Sequence, residues 1–490
     1  MVRWNLVIIA VLYMGITTVA VGIIQMIKKR GKTAESFLYA DRSLSPWVGG
    51  ASIALASIGS LHTTGLLEIG IDMGLMAYWM ATITAASCVL EGCFFAPFWR
   101  RVKIATIPSI MDSVFSEKNK LLYSAVNIYI MFFVLALETQ AGGMITSAIT
   151  GIDIRISIVI FMLLCCAYML FTGMHQAASL NSFNAVVMYV IVIIAFIIAS
   201  TKLPSGWSGV EAFYLQNSPG HLSMIPKDIG TWLAFPIPMT LVCIMFQPLD
   251  QGKMQYYLAA RDNRSAYKMG FISTVLNAPF GAFTLTLGLA AGSIAVFSSS
   301  GSKTAGIQLL IEYVPPLIVG LLLAVFLAII ISTWCRFTMG IAQLGVNDFY
   351  KRFSKAPKEK TELVLSRILI IGSGLLAIVP AFALPVIVLE FMFIVSAIVP
   401  IFMVLMLGIF WKRNNNAAFV TVIVGVVAAI LWEKILVLQN VFGAPFWFGS
   451  VWIALILSTV LYIILALVMP GSKRSFLKDL KEKEALEGSS

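Results

Sequence analysis

Runs of predominantly apolar residues about 20 long, enough to cross a hydrocarbon layer about 30 Å thick, recur along this 490-residue chain from near its start to residue 469. Lipid offers no partner to an exposed backbone N–H or C=O, so such runs are expected as helices. The chain is read as an all-α polytopic membrane protein. Spans are expected near residues 5–27, 46–70, 74–98, 121–147, 155–173, 179–200, 229–247, 268–296, 313–345, 364–383, 386–411, 417–437 and 448–469, about 13 transmembrane helices by length and hydropathy. No soluble domain fits between them. With 59% hydrophobic and 12% charged residues, the composition excludes an ordinary soluble globule. The first span is too long for a signal-peptide core and is followed by KKRGK rather than a small-residue cleavage site, so it is read as a retained helix.

The basic residues set the expected orientation. Alternate loops 28–42, 99–120, 248–268, 346–367 and 412–413, with the tail from 471, carry 27 of the 34 Lys and Arg. The positive-inside rule then puts the C-terminus in the cytoplasm and the N-terminus outside, with the chain multi-pass in the cell membrane, plasma or inner. Arg3, Arg155, Lys202, Lys227, Lys303 and Lys434 fall on the opposite side, and Arg336, deep within an expected span, completes the count. The net charge of +11 is thus topology, with attraction to anionic membrane lipids as a consequence, and nucleic-acid binding is not indicated. All six cysteines fall within expected spans, and no Cys/His spacing resembles a metal set. Three histidines and scattered carboxylates form no nucleophile–base constellation, so an enzyme is not expected. The tail LKDLKEKEALEGSS reads as a short charged helix.

Two expected spans carry helix breakers at matching places. ALASIGSLHTTGLLEIG, residues 54–70, strings Ser57, Gly59, Ser60, His62, Thr63, Thr64 and Gly65 through one; AFPIPMTLV, residues 234–242, places Pro236 and Pro238 in the other. Such residues free backbone groups at mid-membrane. Each break opens a set of five spans, and interrupted helices at corresponding positions of two halves point to a transporter built from inverted repeats. The expected organisation is a leading helix and loop (1–45), a five-helix repeat (46–200), an outer loop (201–228), a second repeat (229–411), two trailing helices (412–470) and a cytoplasmic tail (471–490).

Four segments carry a family resemblance. DRSLSPWVGGASIALASIG at 41–59, QGKMQYYLAARDNRSAYK at 251–268, IISTWCRF with VNDFYKRF within 330–353, and VSAIVPIFMVLMLGIFWKRNNNAA at 395–418 resemble the sodium:solute symporter family, which includes sodium/proline, sodium/pantothenate and sodium/glucose cotransporters. The resemblance implies the leucine-transporter-type fold of five plus five inverted spans, the system cited for such repeats, and secondary active transport with Na⁺ as coupling ion. Carried over by position, Ser332 and Thr333 match the hydroxyl pair of the family's common sodium site. The backbone at Ile329, Ala56 and Gly59 would complete its oxygen shell. From spacing alone, Ser and Thr in a membrane helix equally bond back to a carbonyl one turn earlier.

Two residues depart from that pattern. Asn181 stands where many members have an Asp that assists sodium. Arg336 follows Ser332 by four and so lies on the same helix face, one turn towards the basic loops. Three roles for Arg336 stay open: a clamp for a substrate carboxylate, an internal gating pair with Glu91, whose depth matches, or a stand-in for an ion. A solute would sit between the breaks, with Ser60, His62, Thr63, Glu68, Gln140, Trp232 and Phe235 as candidate contacts. His62 is either such a contact or a cap on the interrupted helix. Glu138 is a candidate pairing residue or ammonium contact.

The expected activity is Na⁺-coupled symport of a small polar organic solute, carboxylate or amino-acid-like, into the cell by alternating access. Two alternatives stand beside it: a Na⁺-independent or proton-coupled carrier using His62, Glu91 or Arg336, and a transporter-like sensor, which the short tail disfavours. Solute identity, stoichiometry and the choice between monomer and homo-oligomer are left open by the sequence.

Overall fold

A computed structural model describes residues 3–28, 33, 36–37, 40–102, 104, 106–169, 174–299, 301–384, 386–435 and 437–487. In chain order the helices used below are α1 (Trp4–Ile27), α2 (Pro46–Ser60), α3 (Leu66–Met73), α4 (Tyr78–Leu90), α5 (Glu117–Thr150), α6 (Ile154–Met169), α7 (Met174–Thr201), α8 (Ile229–Ala234), α9 (Pro236–Phe246) and α10 (Gln251–Leu258). They continue as α11 (Asn263–Gly292), α12 (Ser302–Tyr313), α13 (Pro316–Leu344), α14 (Glu359–Ala381), α15 (Ile387–Ser396), α16 (Val399–Phe410), α17 (Asn415–Ile430), α18 (Ser450–Val468) and α19 (Phe476–Glu487).

Among the described residues, ten helical stretches are long and apolar enough to cross a membrane, eleven if α15 and α16, bent by 41°, count as one span. This is fewer than the thirteen expected, for physical reasons. Expected spans 46–70 and 74–98 run together in one helical stretch of 57 residues, Pro46–Val102. At 1.5 Å per residue that would extend about 85 Å if straight. It is instead turned at Gly74, whose φ of 63° suits a residue without Cβ. The expected span 155–173 is represented by the shorter apolar stretch Ile154–Cys166, and its last four residues, 170–173, lie outside the described ones.

The core is organised around α13. Every residue from Leu322 to Leu344 is buried, Ser332, Thr333, Arg336, Thr338 and Gln343 included, and α1, α2, α5, α7 and α14 pack around it. Outer helices turn apolar faces outward, such as Ile8, Leu12 and Ile16 on α1 or Ile368 and Leu376 on α14. Those exposed faces are what lipid contact requires.

Both expected breaks are present. α2 is broken near its end at Gly59, which takes φ 44° and ψ −151°, and a π-helical turn, Leu61–Gly65, leads into α3. Phe235, with φ −133° and ψ −63°, separates α8 from α9, and Pro236 opens α9. There its missing N–H is no loss, because a first-turn donor has no helical partner. Asp228 caps α8 by accepting from the Thr231 N–H.

One expectation about loops is corrected. Residues 248–268 were expected as a loop bearing basic residues, yet α10 within that stretch has all eight residues buried, Lys253 included. It folds back against α13 and α2. Arg336 is therefore not the bundle's one internal cation. The tail forms α19, and Lys473–Arg474 pairs antiparallel with Lys412–Arg413, anchoring it to the turn after α16. All six cysteines are free; Cys93 is exposed and the other five are buried.

Candidate ion and solute site

The break in α2 faces α13. In a continuous helix the Ser60 N–H would bond the Ala56 carbonyl; here it donates to Glu138 Oε2 on α5, at 2.9 Å. The last turn of α2 meets Thr333 instead: its Oγ1 lies 3.3 Å from the carbonyls of both Leu55 and Ala56, and 3.4 Å from that of Ile329. A hydroxyl has one proton to donate, so it cannot satisfy three carbonyls. The distances also exceed the usual O–H···O spacing of about 2.7–2.8 Å. Ser332 Oγ beside it is buried and has no hydrogen-bond partner among the described residues. The contact to Ile329 is the ordinary back-bond of a helical Thr. Those to Leu55 and Ala56 come from another helix, and the back-bond does not account for them. Oxygen-only donors with unspent lone pairs are the donor set of a small hard cation.

Ala56, Ile329 and Thr333 of the expected ligands are thus brought together, and Ser332 precedes Thr333 on α13. Gly59 is placed differently. Its carbonyl accepts from Thr63 Oγ1 at 2.8 Å, and the Leu55 carbonyl joins that of Ala56 beside Thr333. Gly59 contributes through what it lacks: a Cβ there would lie 2.7 Å from Thr333 Oγ1 and 2.8 Å from Glu138 Oε1.

The expected solute contacts fall into separate groups. Ser60 Oγ donates to Glu138 Oε1 at 2.8 Å, so Ser60 and Thr63 belong to the wall of the oxygen cluster. His62 Nδ1 lies 3.0 Å from the Ile58 carbonyl, which caps the break, while its buried Nε2 has no partner among the described residues. Glu68 and Gln140 converge on the chain leading into α15. Glu68 Oε2 lies 3.4 Å from the Ile387 N–H, and Gln140 Nε2 donates to the Leu384 carbonyl at 2.7 Å. Lys303 of α12 reaches the same carbonyl at 3.4 Å. Phe235 is buried at the α8/α9 break. Trp232 donates to the Pro226 carbonyl and meets Trp79 edge to face at 5.5 Å. Asn181 on α7 is fully buried, with both amide atoms unpartnered among the described residues.

One turn from Ser332, a polar layer closes the end of the bundle that bears the Lys/Arg-rich loops. Arg336 Nη1 lies 3.3 Å from Asp250 Oδ2, and its guanidinium sits 4.1 Å from the Phe337 ring centroid. The expected pairing of Arg336 with Glu91 is not formed. Glu91 Oε1 is held by Lys253 Nζ at 2.8 Å, which also donates to Gln247 Oε1 at 2.7 Å. The cause is α10, whose return into the bundle supplies an anion and a cation that hydropathy assigned to a loop. Gln343 of α13 bonds both Gln251, at 2.6 Å, and Gln255, at 2.5 Å. Sequence reasoning missed Asp250, Gln251, Lys253, Gln255 and Gln343. The signal was the run LDQGKMQYY, in which Gln251 and Gln255 are four apart, on one helical face.

The sequence pattern of the Sodium:solute symporter family matches residues 37–425. The chain belongs to that family. Among sodium:solute symporters, it is similar to a sodium/glucose cotransporter of Vibrio parahaemolyticus, 24% identical over 81% of this chain and 78% of the relative. It is similar also to a high-affinity proline transporter of Bacillus subtilis, 23% identical over 83% of this chain and 88% of the relative. A substrate-bound, outward-open structure of a Na⁺-coupled sialic acid symporter superposes with a TM-score of 0.79 at 19% identity, covering 96% of this chain and 99% of that one. That likeness establishes the leucine-transporter-type fold of this family member. The family is one of membrane transporters coupled to sodium.

Proposed function

We propose that this chain moves a small polar organic solute, carboxylate or amino-acid-like, into the cell together with Na⁺ by alternating access, with Ala56, Leu55, Ile329, Ser332 and Thr333 holding the ion. The observation that carries the reading is Thr333 Oγ1 among three carbonyls it cannot satisfy, beside the unpartnered Ser332 Oγ. The basic end of the bundle is the cytoplasmic face, and residues 46–200 and 229–411 are the inverted halves. Ser60, His62, Thr63 and Phe235 at the breaks, with Glu68 and Gln140 beside the chain leading into α15, form the solute path; Trp232 borders it.

In this mechanism Na⁺ joins α2 to α13 at the break, fixing the turn that carries Ser60, His62 and Thr63. An ion that completes the pocket favours the solute-bound state, and the solute favours the ion by the same factor. Inward release requires the layer built by Arg336, Asp250, Glu91, Lys253 and Gln343 to part. Arg336 serves as a gate residue in this reading, since its charge is engaged by Asp250 rather than left to a solute or to stand in for an ion. Asn181 borders α13 as a neutral neighbour of the ion path.

Uptake by proteoliposomes loaded without Na⁺ tests the proposal. Accumulation is expected under an inward Na⁺ gradient and is expected to collapse with choline in its place. Replacing Ser332 and Thr333 by Ala together should raise the Na⁺ concentration for half-maximal uptake about tenfold or more, as for loss of about 1.4 kcal/mol of binding. Equal accumulation in choline would sink the sodium assignment. For the gate, Arg336→Ala leaves Asp250 a buried, unpaired carboxylate, and solute efflux down its gradient without Na⁺ is expected to rise above the parent rate. Unchanged efflux would remove Arg336 from the gate.

A further inference from the structure

We infer that Glu138 is the anionic member of the ion site, supplying the full negative charge that the neutral oxygens of Leu55, Ala56, Ile329, Ser332 and Thr333 lack. The inference rests on the reading of that oxygen cluster as an ion site and adds to it a carboxylate at its edge.

Glu138 lies in the middle of α5 and is 1% exposed. Its only hydrogen-bond donors among the described residues belong to one neighbour: Ser60 N–H on Oε2 and Ser60 Oγ on Oε1. No Lys, Arg or His pairs with it among the described residues; the nearby Arg336 is engaged by Asp250. A buried carboxylate without a cation is strongly disfavoured, so this group is either neutralised by a proton or balanced by a cation taken from solution. Geometry favours the second. Oε1 and Thr333 Oγ1 lie 2.8 and 2.7 Å from one point, the missing Cβ of Gly59, and so are no more than about 5.5 Å apart. A cation taking oxygens at about 2.3–2.6 Å spans such a gap with little movement of either side chain. Gly59 keeps the gap open, since any side chain there would fill it.

The arrangement also joins the ion to the solute turn. Both donors that Glu138 holds are on Ser60, the first residue after the break, so a cation that draws the carboxylate also fixes the start of the Leu61–Gly65 turn. A cation bound only by neutral oxygens on α2 and α13 would lack that link through α5.

The test uses purified full-length protein in detergent, without solute, and follows the rise in apparent melting temperature as NaCl replaces choline chloride at constant ionic strength. Ligand binding to the native state makes that rise concentration-dependent. Glu138→Gln, which keeps an acceptor for Ser60 Oγ but loses the charge, is expected to move the half-effective Na⁺ concentration up about tenfold or more. Glu138→Asp, which keeps the charge one methylene further back, should recover part of the loss. A Glu138→Gln midpoint within about twofold of the parent would overturn the inference. If the Gln variant does not purify as a single species, Glu138→Asp decides: a midpoint shifted about threefold or more supports it, and an unshifted one overturns it. The Ser332→Ala/Thr333→Ala protein separates the two ideas. A shifted midpoint there with none in Glu138→Gln removes only the role of Glu138; no shift in either removes the ion site itself.

Discussion

Gly59→Ala is expected to abolish Na⁺-dependent uptake while leaving the protein folded and in the membrane. Two effects add. Ala would have to adopt φ 44° and ψ −151°, a region that L-residues rarely occupy and whose strain is about 1–3 kcal/mol. Its Cβ would also lie 2.7 Å from Thr333 Oγ1, 2.8 Å from Glu138 Oε1 and 3.0 Å from Thr333 Cγ2, so Thr333 and Glu138 must part. Those contacts are with the groups that define the ion cluster, and the damage is therefore local. Uptake assayed against Na⁺ from low millimolar to saturating levels, with surface expression measured alongside, checks this. Uptake above half the parent rate at the parent's midpoint would show that the gap at Gly59 is not used by an ion.

Lys253→Met is expected to produce the largest loss of stability of any single change in the polar layer. Lys253 is wholly buried and holds Glu91 at 2.8 Å; removing it leaves that carboxylate buried without its cation, and breaking such pairs costs about 3–5 kcal/mol. The pair itself need not be stabilising, since desolvating two charges offsets most of their attraction. Replacing both partners, Lys253→Met with Glu91→Leu, should therefore restore much of what the single change loses. The measurement is a double-mutant cycle on apparent melting temperature in detergent, which isolates the coupling of neighbouring residues. A double variant as unstable as the added single losses would mean that Lys253 acts through Gln247 and packing rather than through Glu91.

The spans and both breaks were legible because each rests on a local rule. Apolar length needs no tertiary information, and Gly59 and Pro236 disturb a helix whatever surrounds it. Ser332 and Thr333 were singled out through family resemblance, and Thr333 has a structural logic of its own in the carbonyls it meets. The partner of Arg336 was not legible. Depth along the membrane normal can be counted from the sequence, which is how Glu91 was matched to Arg336, but the azimuth of a helix cannot. The return of α10 into the bundle was hidden as well: its eight residues are polar enough to average as a loop, and their burial depends on partners from α13 and the end of α4. The presence of the Leu55 carbonyl beside Thr333 was hidden for a similar cause. Which oxygens turn inward at a break depends on the dihedrals of one glycine.

The polar layer has an electrical consequence. Asp250 and Lys253 sit at the start of α10, three residues apart, and each is paired with the opposite charge on a different neighbour, Arg336 and Glu91. If α10 withdraws as a unit, it carries one negative and one positive charge together. Their displacements through the transmembrane field cancel to first order, whereas a single charge crossing 100 mV would be worth about 2.3 kcal/mol. Opening the polar layer is then nearly blind to membrane potential. In the proposed mechanism voltage then acts through the carried ion rather than through α10.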